Sequence, residues 1–483
     1  MQTNQVLKGV KIEKIIGEMP DTVNDISDHS KRVIQGGLFI LFSDDLNEMQ
    51  KHLKEAEQNG CKLVVSEIEV KTDACLLIVK SCKTARQIIS KNFFCCPEED
   101  LRIIGLVGTN GKTSTCHILS KILTVGGYNV GVTGTLGTYY GGESYESNLT
   151  TPGIIDFYRM MRDMVDKGVE ILIMELSAHA ISQGRVGNVF FDFLIFTNCT
   201  EDHLDYFENF KAYAEVKKSV FLKQRSKYML INSDDAVGIE IINRAKGKKI
   251  TYGIENPADV FAINVTEARE GISFVINLYD LIFEVESRLI GLCNVYNTLA
   301  AAACAGILGV TCGEICKALK EIAPIEGRAE PICKFNGITV FLDYAHTPDG
   351  LYRTLTSIKK LCDGKLICVF GCGGNREKEK RPKMGAIAGE IADFSVVTTD
   401  NPRFEDQNAI LNEIERGIIK KTKQYIIIRD REIAIKYALE KAESGDVVAV
   451  CGRGGERYQE IMGEKKAFSD KQVILEAISK LKE

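Results

Sequence analysis

The feature that most constrains the fold of this chain is a repeated pattern, in which a short apolar run ends in a polar or glycine-rich cluster. Seven such runs occupy residues 103–107, 169–174, 191–196, 338–342, 365–370, 394–399 and 446–450. Helical patterns separate them, for instance at residues 114–124, 154–166, 409–421 and 431–442. Apolar strands that alternate with helices predict an α/β fold whose parallel sheets are covered on both faces. Ligands bind such sheets at the carboxyl ends of the strands, where these polar clusters fall.

The sharpest of these clusters lies between the first run and a helical pattern. Its members are Gly108, Thr109, Asn110, Gly111, Lys112, Thr113 and Ser114. Glycines allow backbone N–H groups to close around phosphate oxygens, and the following helix adds the positive end of its dipole. Lys112 can neutralise terminal phosphates, and the Thr113 hydroxyl suits Mg²⁺. The segment predicts a nucleotide-binding loop, and the alternative is an ordinary glycine turn before a helix.

The 483 residues are enough for two to four domains of about 100–200 residues each. The pattern divides the chain into three parts: residues 1–99, residues 100–327 and residues 328–483. We predict a small N-terminal α/β domain, a central parallel-sheet domain that carries the phosphate loop, and a Rossmann-like C-terminal domain.

Two further side chains follow predicted strands in the central domain. Glu175 follows the second run, and His203 follows the third within a Thr-Glu-Asp-His-Leu-Asp segment. A hard cation that bridges phosphates prefers oxygen ligands, and an imidazole can supplement them. We therefore expect Glu175 and His203 to serve a metal, although His203 alone is more often a structural residue. His179 is a weaker candidate, because it can simply cap the next helix.

Composition excludes several classes of protein. The net charge of -5 disfavours general binding of nucleic acid. No apolar stretch reaches the roughly 18 residues of a membrane span, and the first residues lack the apolar segment of a signal peptide. The 16 cysteines are scattered without a C-x-x-C pair, which favours reduced, buried thiols over a metal site. We predict a cytoplasmic protein.

Several segments, taken in order, resemble those of the Mur ligase family. They read GTNGKTS, MELSAH, TNCTEDHLDY, YAEVKKSVF, GLCNVYN, DYAHTPD, GCGGNREKEKRP and DNPR. The match is closest to the MurE group, which adds the third amino acid to the UDP-N-acetylmuramoyl peptide in peptidoglycan synthesis. The resemblance implies a central ATPase domain between a UDP-substrate-binding domain and an amino-acid-binding domain. It also implies that ATP activates a substrate carboxylate as an acyl phosphate, which an amine then converts into an amide.

The resemblance assigns roles at the ATP end of the site. It implies that Thr113, Glu175, His203 and a carbamylated Lys217 hold Mg²⁺, and that Lys112, Lys217, His203 and Glu175 form the catalytic set. The alternative for Lys217 is that it belongs, with Lys218, to a solvated helix face. The resemblance also places Asn297, Arg328, Asp343 and His346 at the nucleotide. Asn297 could instead be a helix-start cap, and Arg328 could form an interdomain ion pair.

The resemblance also implies which residues hold the other substrates. Those expected to bind the UDP-N-acetylmuramoyl-L-alanyl-D-glutamate are Ser30, Thr150, Thr151, Ser177, Gln183 and Arg185. Those expected to bind the amino acid are Arg376, Asp400, Asn401, Pro402, Arg403, Gly452 and Glu456. Family members that add meso-diaminopimelate carry DNPR, and the guanidinium of Arg403 suits the distal carboxylate of that amino acid.

Two segments depart from the family pattern. The usual G-K-G-H-E reads Gly452-Arg453-Gly454-Gly455-Glu456, and the usual G-G-D-R reads Gly373-Gly374-Asn375-Arg376. A paralogue that uses lysine or another diamino acid therefore stays an alternative, as does a folylpolyglutamate-synthase-like ligase. A third alternative, from a different class, is a phosphate-loop switch that hydrolyses nucleotide to regulate a partner.

Overall fold

The computed structural model describes residues 1–42, 45–146, 149–223 and 225–482. The helices are α1 (Thr3–Val6), α2 (Leu46–Gln58), α3 (Cys82–Phe93), α4 (Lys112–Val125), α5 (Ile154–Asp166), α6 (Ala178–Gln183), α7 (Phe210–Leu222), α8 (Ala236–Arg244), α9 (Leu292–Ile307), α10 (Cys312–Glu321), α11 (Pro348–Lys359), α12 (Lys380–Ile391), α13 (Gln407–Ile418), α14 (Arg431–Lys441) and α15 (Asp470–Lys482). Among the described residues, no helix is long and apolar enough to cross a bilayer.

The strands follow the same alternation. They are β1 (Ile12–Ile16), β2 (Ile26–Ser27), β3 (Leu38–Ile40), β4 (Leu63–Ser66), β5 (Cys75–Val79), β6 (Arg102–Val107), β7 (Val130–Gly134), β8 (Gly137–Tyr140), β9 (Glu143–Tyr145), β10 (Ile171–Leu176), β11 (Phe191–Phe196), β12 (Ser226–Asn232), β13 (Lys248–Gly253), β14 (Val260–Ala268), β15 (Gly271–Leu278), β16 (Leu281–Ser287), β17 (Glu330–Phe335), β18 (Ile338–Asp343), β19 (Leu366–Phe370), β20 (Phe394–Val397), β21 (Tyr425–Ile427), β22 (Val447–Cys451), β23 (Tyr458–Ile461) and β24 (Glu464–Ala467). The strands and helices named from the sequence are confirmed, with ends that differ by at most three residues.

One compact unit comprises residues 1–104 and 129–192. Its first sheet has the order β1-β5-β4-β3-β2, in which β1 is antiparallel to β5 and the others are parallel. Its second group of strands has the order β10-β7-β8-β9, with β10 and β7 parallel and the hairpin partners antiparallel. Every residue of β4 and of β10 is buried, as expected for parallel strands covered on both faces.

The other compact unit comprises residues 105–128 and 193–483. Its first sheet runs β16-β15-β14-β13-β12-β11, followed by the end of β6. Thr197 at the end of β11 donates its backbone N–H to the carbonyl of Val107, at a distance of 2.9 Å. Helix α9 is rich in alanine and buried along most of its length, and its small side chains allow close packing against α4. This packing places α9 beside the start of α4.

The C-terminal sheet of that unit has the order β17-β18-β22-β19-β20-β21. Strand β17 is antiparallel to β18, and the remaining neighbours are parallel. Apolar clusters cover both faces, one with residues of α11, α12 and α13 and the other with residues of α14 and α15. The sheet is therefore doubly wound, and the loops after β18, β19, β20 and β22 lie at one edge.

A buried ion pair ties two of those loops to the last helix. Arg431 at the start of α14 and Asp470 at the start of α15 are fully buried and lie 2.7 Å apart at their nearest atoms. The same guanidinium donates to the carbonyls of Thr399, at 3.2 Å, and Cys451, at 3.0 Å. These carbonyls directly precede Asp400 and Gly452, so the pair fixes the starting points of both loops.

Candidate active site

The phosphate loop requires glycine at two positions because neighbouring side chains leave no room for a Cβ. A Cβ on Gly108 would lie 1.8 Å from Oγ1 of Thr197. Gly111 has a φ of +85°, and a Cβ there would lie 2.5 Å from Oδ1 of Asn297. Helix α4 begins directly afterwards, at Lys112. The alternative of an ordinary glycine turn does not account for this close approach of α9 and β11 to the loop.

The side chain of Lys112 folds back over the loop. Its Nζ donates to the carbonyl oxygens of Gly108, at 2.9 Å, and Thr109, at 3.0 Å. The loop is also fixed from outside, because Asn198 Oδ1 accepts the backbone N–H of Asn110 at 2.9 Å. The amide of Asn110 donates to Asp349 at 3.0 Å, which joins the loop to α11. Lys112 thus lies where it can reach phosphate oxygens held by this loop.

Two residues expected at the nucleotide lie against the loop. Asn297 is inside α9 rather than at its start, and its Oδ1 accepts from the Thr115 hydroxyl at 3.2 Å. The helix-start interpretation of Asn297 is therefore wrong. Arg328 donates to Oγ1 of Thr113 at 3.2 Å, and its guanidinium lies 4.3 Å from the ring centre of Tyr344. In the described part of the chain, the contacts of Arg328 are thus with a hydroxyl and an aromatic ring rather than with a carboxylate, which does not support the interdomain ion pair.

Lys217 projects from α7 towards the phosphate loop. Its side chain is 1% exposed, its Nζ donates to Oγ1 of Thr109 at 2.6 Å, and it lies 4.0 Å from the ring centre of Tyr213. Lys218 is also buried, but it pairs with Glu215 at 2.6 Å and Glu240 at 2.5 Å. The solvated-face interpretation is therefore wrong for both lysines. Burial lowers the pKa of Lys217 to about 7, and the nearby charge of Lys112 adds to this effect.

A buried carboxylate that sequence reasoning did not select, Asp202, lies next to His203. Burial alone would raise its pKa, but His203, His346 and Lys380 outweigh that effect and lower the pKa to about 2. His203 has a φ of +56°, and its Nε2 lies 3.3 Å from Oδ2 of Asp202. Asp202 therefore stays ionised and orients the imidazole. The signal was available, because Asp202 directly precedes His203 in the segment singled out for chemistry.

Asp343, the last residue of β18, and His346, in the loop that follows, were both expected at the nucleotide. Burial lowers the pKa of His346, and its Nδ1 lies 2.9 Å from the carbonyl of Tyr344. Burial raises the pKa of Asp343, which accepts backbone N–H groups from Ala329, at 2.6 Å, and Ala345, at 2.8 Å. Asp343 thus organises the connection that carries Arg328.

In the first unit, Glu175 lies within β10 rather than after it. Its carboxylate accepts the backbone N–H of Thr135 at 2.9 Å and the hydroxyl of Thr135 at 3.1 Å. A Cβ on Gly134 would lie 2.2 Å from this carboxylate, so glycine is required beside it. These donors fix the orientation of the carboxylate.

Helix α6 starts with a side-chain cap, and Ser177 provides it. The Ser177 hydroxyl accepts the backbone N–H of Ala180 at 3.2 Å, so the interpretation of His179 as the cap is wrong. Thr151 joins the same corner, because its hydroxyl donates to the carbonyl of Glu175 at 2.8 Å and accepts the N–H of Ser177 at 3.1 Å.

The remaining residues expected at the muramoyl substrate lie around Thr151. Arg185 donates from Nε to Gln183 at 2.8 Å and from Nη1 to the carbonyl of Thr151 at 3.2 Å. The hydroxyls of Thr150 and Thr135 are 3.4 Å apart. Ser30 belongs to the N-terminal sheet, where its hydroxyl donates to Glu55 at 2.5 Å. The structure thus brings Thr150, Thr151, Ser177, Gln183 and Arg185 together, while Ser30 lies in another sheet of the same unit.

The segment from Asp400 to Arg403 forms the loop after β20. Arg403 has a φ of +51°, which side chains rarely adopt, and its Nη1 donates to the carbonyl of Gly374 at 2.8 Å. A Cβ on Gly374 would lie 1.9 Å from the carbonyl oxygen of Pro402. The loop therefore packs directly on the segment that carries Arg376, whose Nη1 lies 3.8 Å from Asp205.

Two more residues expected at the amino acid lie next to the same loop. The amide of Asn401 donates to Oε2 of Glu456 at 2.8 Å, and a Cβ on Gly452 would lie 2.9 Å from Oδ2 of Asp400. Burial raises the pKa of Glu456 to about 7, and the Asp400 carboxylate adds to the rise. The loops after β19, β20 and β22 thus meet, and Arg403, Asp400 and Glu456 are among the charged side chains that they bring together.

A second residue that was not predicted from the sequence is Arg381 of α12, which links the loops after β19 and β20. It is fully buried, donates twice to Glu405 at 2.9 Å, and reaches Glu413 at 2.7 Å. It also donates to the carbonyl of Gly373 at 3.2 Å, and Glu405 accepts the backbone N–H of Asn375. Arg381 lies in the GCGGNREKEKRP segment, but only the three-dimensional contacts show that it binds Glu405 and the carbonyl of Gly373.

Comparison with known proteins identifies the family. A model of the Mur ligase middle domain matches residues 106–305, and a model of the Mur ligase glutamate ligase domain matches residues 327–454. The chain is 36% identical over 490 residues to the UDP-N-acetylmuramoyl-L-alanyl-D-glutamate–2,6-diaminopimelate ligase of Bacillus licheniformis, and the match covers 100% of both chains. The chain belongs to the Mur ligase family. A relative of the same name in Clostridioides difficile is 36% identical over 487 residues, again with 100% of both chains covered.

Solved structures agree with this assignment. The structure of a UDP-N-acetylmuramoyl-L-alanyl-D-glutamate–2,6-diaminopimelate ligase matches with a TM-score of 0.71 and 28% identity, over 100% of this chain and 99% of that one. The predicted three-domain α/β fold class is confirmed. This Mur ligase is an ATP-dependent enzyme that forms C–N bonds, so the hypothesis of a nucleotide-hydrolysing switch is wrong.

Proposed function

We propose that this Mur ligase joins meso-diaminopimelate to UDP-N-acetylmuramoyl-L-alanyl-D-glutamate, with release of ADP and phosphate. The observation that carries the proposal is the meeting of Arg403, Asn401 and Glu456 at the loops of the C-terminal sheet. The distal end of meso-diaminopimelate has one carboxylate and one ammonium, and this loop cluster offers a guanidinium for the first and Glu456 for the second. Full-length relatives at 36% identity bear the corresponding name.

The reaction needs charge neutralisation more than a protein nucleophile. An oxygen of the D-glutamate carboxylate attacks the γ-phosphorus of ATP, and the bond from that phosphorus to the β,γ-bridging oxygen breaks to release ADP. The amine of the incoming amino acid then attacks the acyl carbon, loses a proton, and expels phosphate. Lys112 serves the first step, because its ammonium can stabilise the negative charge that develops on the transferred phosphoryl group.

The residues of the second unit also fit Mg²⁺ by their chemistry. The Thr113 hydroxyl and the imidazole of His203 can ligate a cation, and carbamylation would turn the buried Lys217 into an anionic oxygen ligand. Among the described residues, no group of three or more histidine, cysteine, aspartate or glutamate side chains gathers around one point. Mg²⁺ is usually held by few protein ligands together with phosphates and water. When bound, the ion would neutralise phosphate charge. Glu175 stays a prediction from the family resemblance.

The remaining assignments follow from the same proposal. Residues 1–99 would bind the UDP moiety through the region of Ser30, and the cluster around Thr151 and Arg185 would bind the muramoyl dipeptide. Residues 100–327 would bind ATP, and residues 328–483 would bind the amino acid. We place the enzyme in the cytoplasm, because its proposed substrates are nucleotide-linked and none of its 16 cysteines, all of them among the described residues, is in a disulfide.

An amino-acid panel tests the function. The enzyme is incubated with the UDP-muramoyl dipeptide, ATP and Mg²⁺, together with meso-diaminopimelate, lysine, ornithine or no amino acid. The expected result is a product with the mass of the diaminopimelate adduct and stoichiometric phosphate release that needs both acceptor and amino acid. Preferred use of lysine would support the alternative of a paralogue, for which the replacement of histidine by Gly455 is the motive.

Replacing Arg403 with alanine is expected to impair use of meso-diaminopimelate far more than use of lysine. A charge-assisted contact to a carboxylate contributes roughly 1.5–3 kcal/mol, which corresponds to about a ten- to few-hundredfold loss of kcat/KM. Lysine has no distal carboxylate, so its weak use should be unchanged or slightly improved. The kcat/KM of both amino acids is measured for wild type and variant. An equal loss for both would show that Arg403 supports the loop rather than selecting the substrate.

The raised pKa of Glu456 predicts a pH dependence of amino-acid binding. Because that pKa is about 7, the carboxylate is mostly ionised at pH 8 and mostly protonated at pH 6. The distal ammonium needs the ionised form, so the KM for meso-diaminopimelate should rise as pH falls below 7, by up to about tenfold per unit. Glu456→Gln should raise that KM and abolish its pH dependence between pH 6 and 8. The KM for ATP in the same assays is the control, and a pH-dependent KM retained in Glu456→Gln would contradict the assignment.

A further inference from the structure

The hairpin of β23 and β24 lies against the Asp400–Arg403 loop and fixes it through the backbone. The N–H of Arg403 donates to the carbonyl of Glu460 at 3.1 Å, and the N–H of Met462 donates to the carbonyl of Arg403 at 2.7 Å. The N–H of Glu460 donates in turn to Oδ1 of Asn401 at 2.8 Å. Glu460 is therefore held in register with two residues of the proposed amino-acid site.

The side chain of Glu460 pairs with the guanidinium of Arg403. Its Oε2 lies 3.3 Å from Nε, while Nη1 donates to the carbonyl of Gly374. Within the described residues, Nη2 of Arg403 has no protein acceptor. The two side chains are 22% and 23% exposed, so solvent and an incoming substrate can reach them. Arg403 is thus held along one edge and can receive a carboxylate along the other.

This arrangement changes the charge that an amino acid meets. An unpaired Arg403 would repel the terminal ammonium of lysine and strongly attract a distal carboxylate. Pairing with Glu460 makes the local charge close to neutral, which weakens both effects. Glu456, held by Asn401, supplies a separate anionic group. The selectivity for a distal carboxylate therefore depends on Glu460 as well as on Arg403.

We propose that Glu460 is a specificity-determining residue. It holds Arg403 by Nε and partly neutralises the guanidinium charge, which lowers the ratio of kcat/KM for meso-diaminopimelate to kcat/KM for lysine. The inference rests on the proposed function. In this proposal, Glu460 acts on the amino acid through Arg403. Removing the charge of Glu460 should therefore raise the selectivity for meso-diaminopimelate above that of wild type.

The test is Glu460→Gln, which keeps an oxygen acceptor for Nε and removes the charge. The ratio of kcat/KM for meso-diaminopimelate to kcat/KM for lysine should rise by about three- to tenfold, on the scale of a partly exposed ion pair. The change should appear as a lower KM for meso-diaminopimelate and a higher KM for lysine, with kcat unchanged. Glu464→Gln removes the same charge from an exposed position on the same hairpin and should leave the ratio unchanged.

A second pair of variants separates action through Arg403 from direct contact. In an Arg403→Ala background, Glu460→Gln should leave the ratio of kcat/KM for the two amino acids unchanged. A change in that ratio without Arg403 would overturn the proposal that Glu460 acts through Arg403. A ratio in Glu460→Gln that is unchanged or lower, in an enzyme that ligates meso-diaminopimelate, would overturn the role of Glu460 alone. A wild type that does not ligate meso-diaminopimelate would overturn the proposed function and this inference with it.

Discussion

Replacing Lys112 with alanine is expected to lower ligation at least about a thousandfold while leaving the fold intact. The reason is that Lys112 lies over the carbonyls of Gly108 and Thr109, where its ammonium can meet the terminal phosphates. Removal of a single well-placed group that stabilises developing charge costs about a hundred- to a thousandfold, and in the proposed role Lys112 would contact more than one phosphate oxygen. The measurement is ADP formation in the presence of all three substrates.

Lys121→Ala is a matched control for this variant. Lys121 lies on the same helix as Lys112 but pairs with Glu321 at 3.2 Å, on a partly exposed surface. It should keep turnover close to wild type. Thermal unfolding of both variants shows whether the fold is retained. A folded Lys112→Ala enzyme with turnover within tenfold of wild type would show that this lysine does not serve the phosphates.

The second large effect is expected at Lys217, where alanine should reduce kcat by roughly a hundred- to a thousandfold. The side chain is fully buried beside Thr109 of the phosphate loop, where an unmodified ammonium would repel a cation. We expect addition of CO₂ to Nζ with loss of a proton, which gives an anionic carbamate. Short carboxylic acids such as acetate should then partly restore the activity of Lys217→Ala, because they return a carboxylate to the space left by the side chain.

The carbamate can be observed directly. Enzyme equilibrated with ¹³C-bicarbonate should show one carbamate resonance that is absent from Lys217→Ala. The matched control is Lys218→Met, since Lys218 is buried on the same helix but pairs with Glu215 and Glu240. It should retain the resonance and show no rescue by acetate. An unmodified amine at Lys217 in ordered electron density of an active preparation would refute the modification.

The elements of this fold could be predicted because its parallel strands are uninterrupted apolar runs. Strand β11 and helix α5 have the predicted ends, and the phosphate loop follows β6 as its glycines and lysine indicate. Local signals of this kind depend on residues close together in the chain. The roles of the glycines also follow from sequence, although only the structure shows that Thr197 and Asn297 are the side chains that exclude a Cβ.

What could not be predicted depends on contacts between distant segments. Lys217 and Lys218 are alike in sequence, yet one faces the phosphate loop and the other faces two glutamates, so the solvated-face alternative could be rejected only with the structure. Arg381 and Glu460 were missed for the same reason, because their partners Glu405 and Arg403 lie more than 20 residues away in the chain. The roles assigned to the site residues remain predictions that the variants described above will test.

The buried pair of Arg431 and Asp470 has a consequence for synthesis of the chain on the ribosome. Its guanidinium holds the carbonyls that precede Asp400 and Gly452, and a charge left alone in an apolar interior is strongly disfavoured. In a nascent chain, the loops that we propose to bind the amino acid can therefore be completed only after Asp470 has left the exit tunnel. The phosphate loop, translated about 350 residues earlier, can be assembled well before then. During translation, a partly made chain can thus form its phosphate loop before it forms the loops that we propose to bind the amino acid.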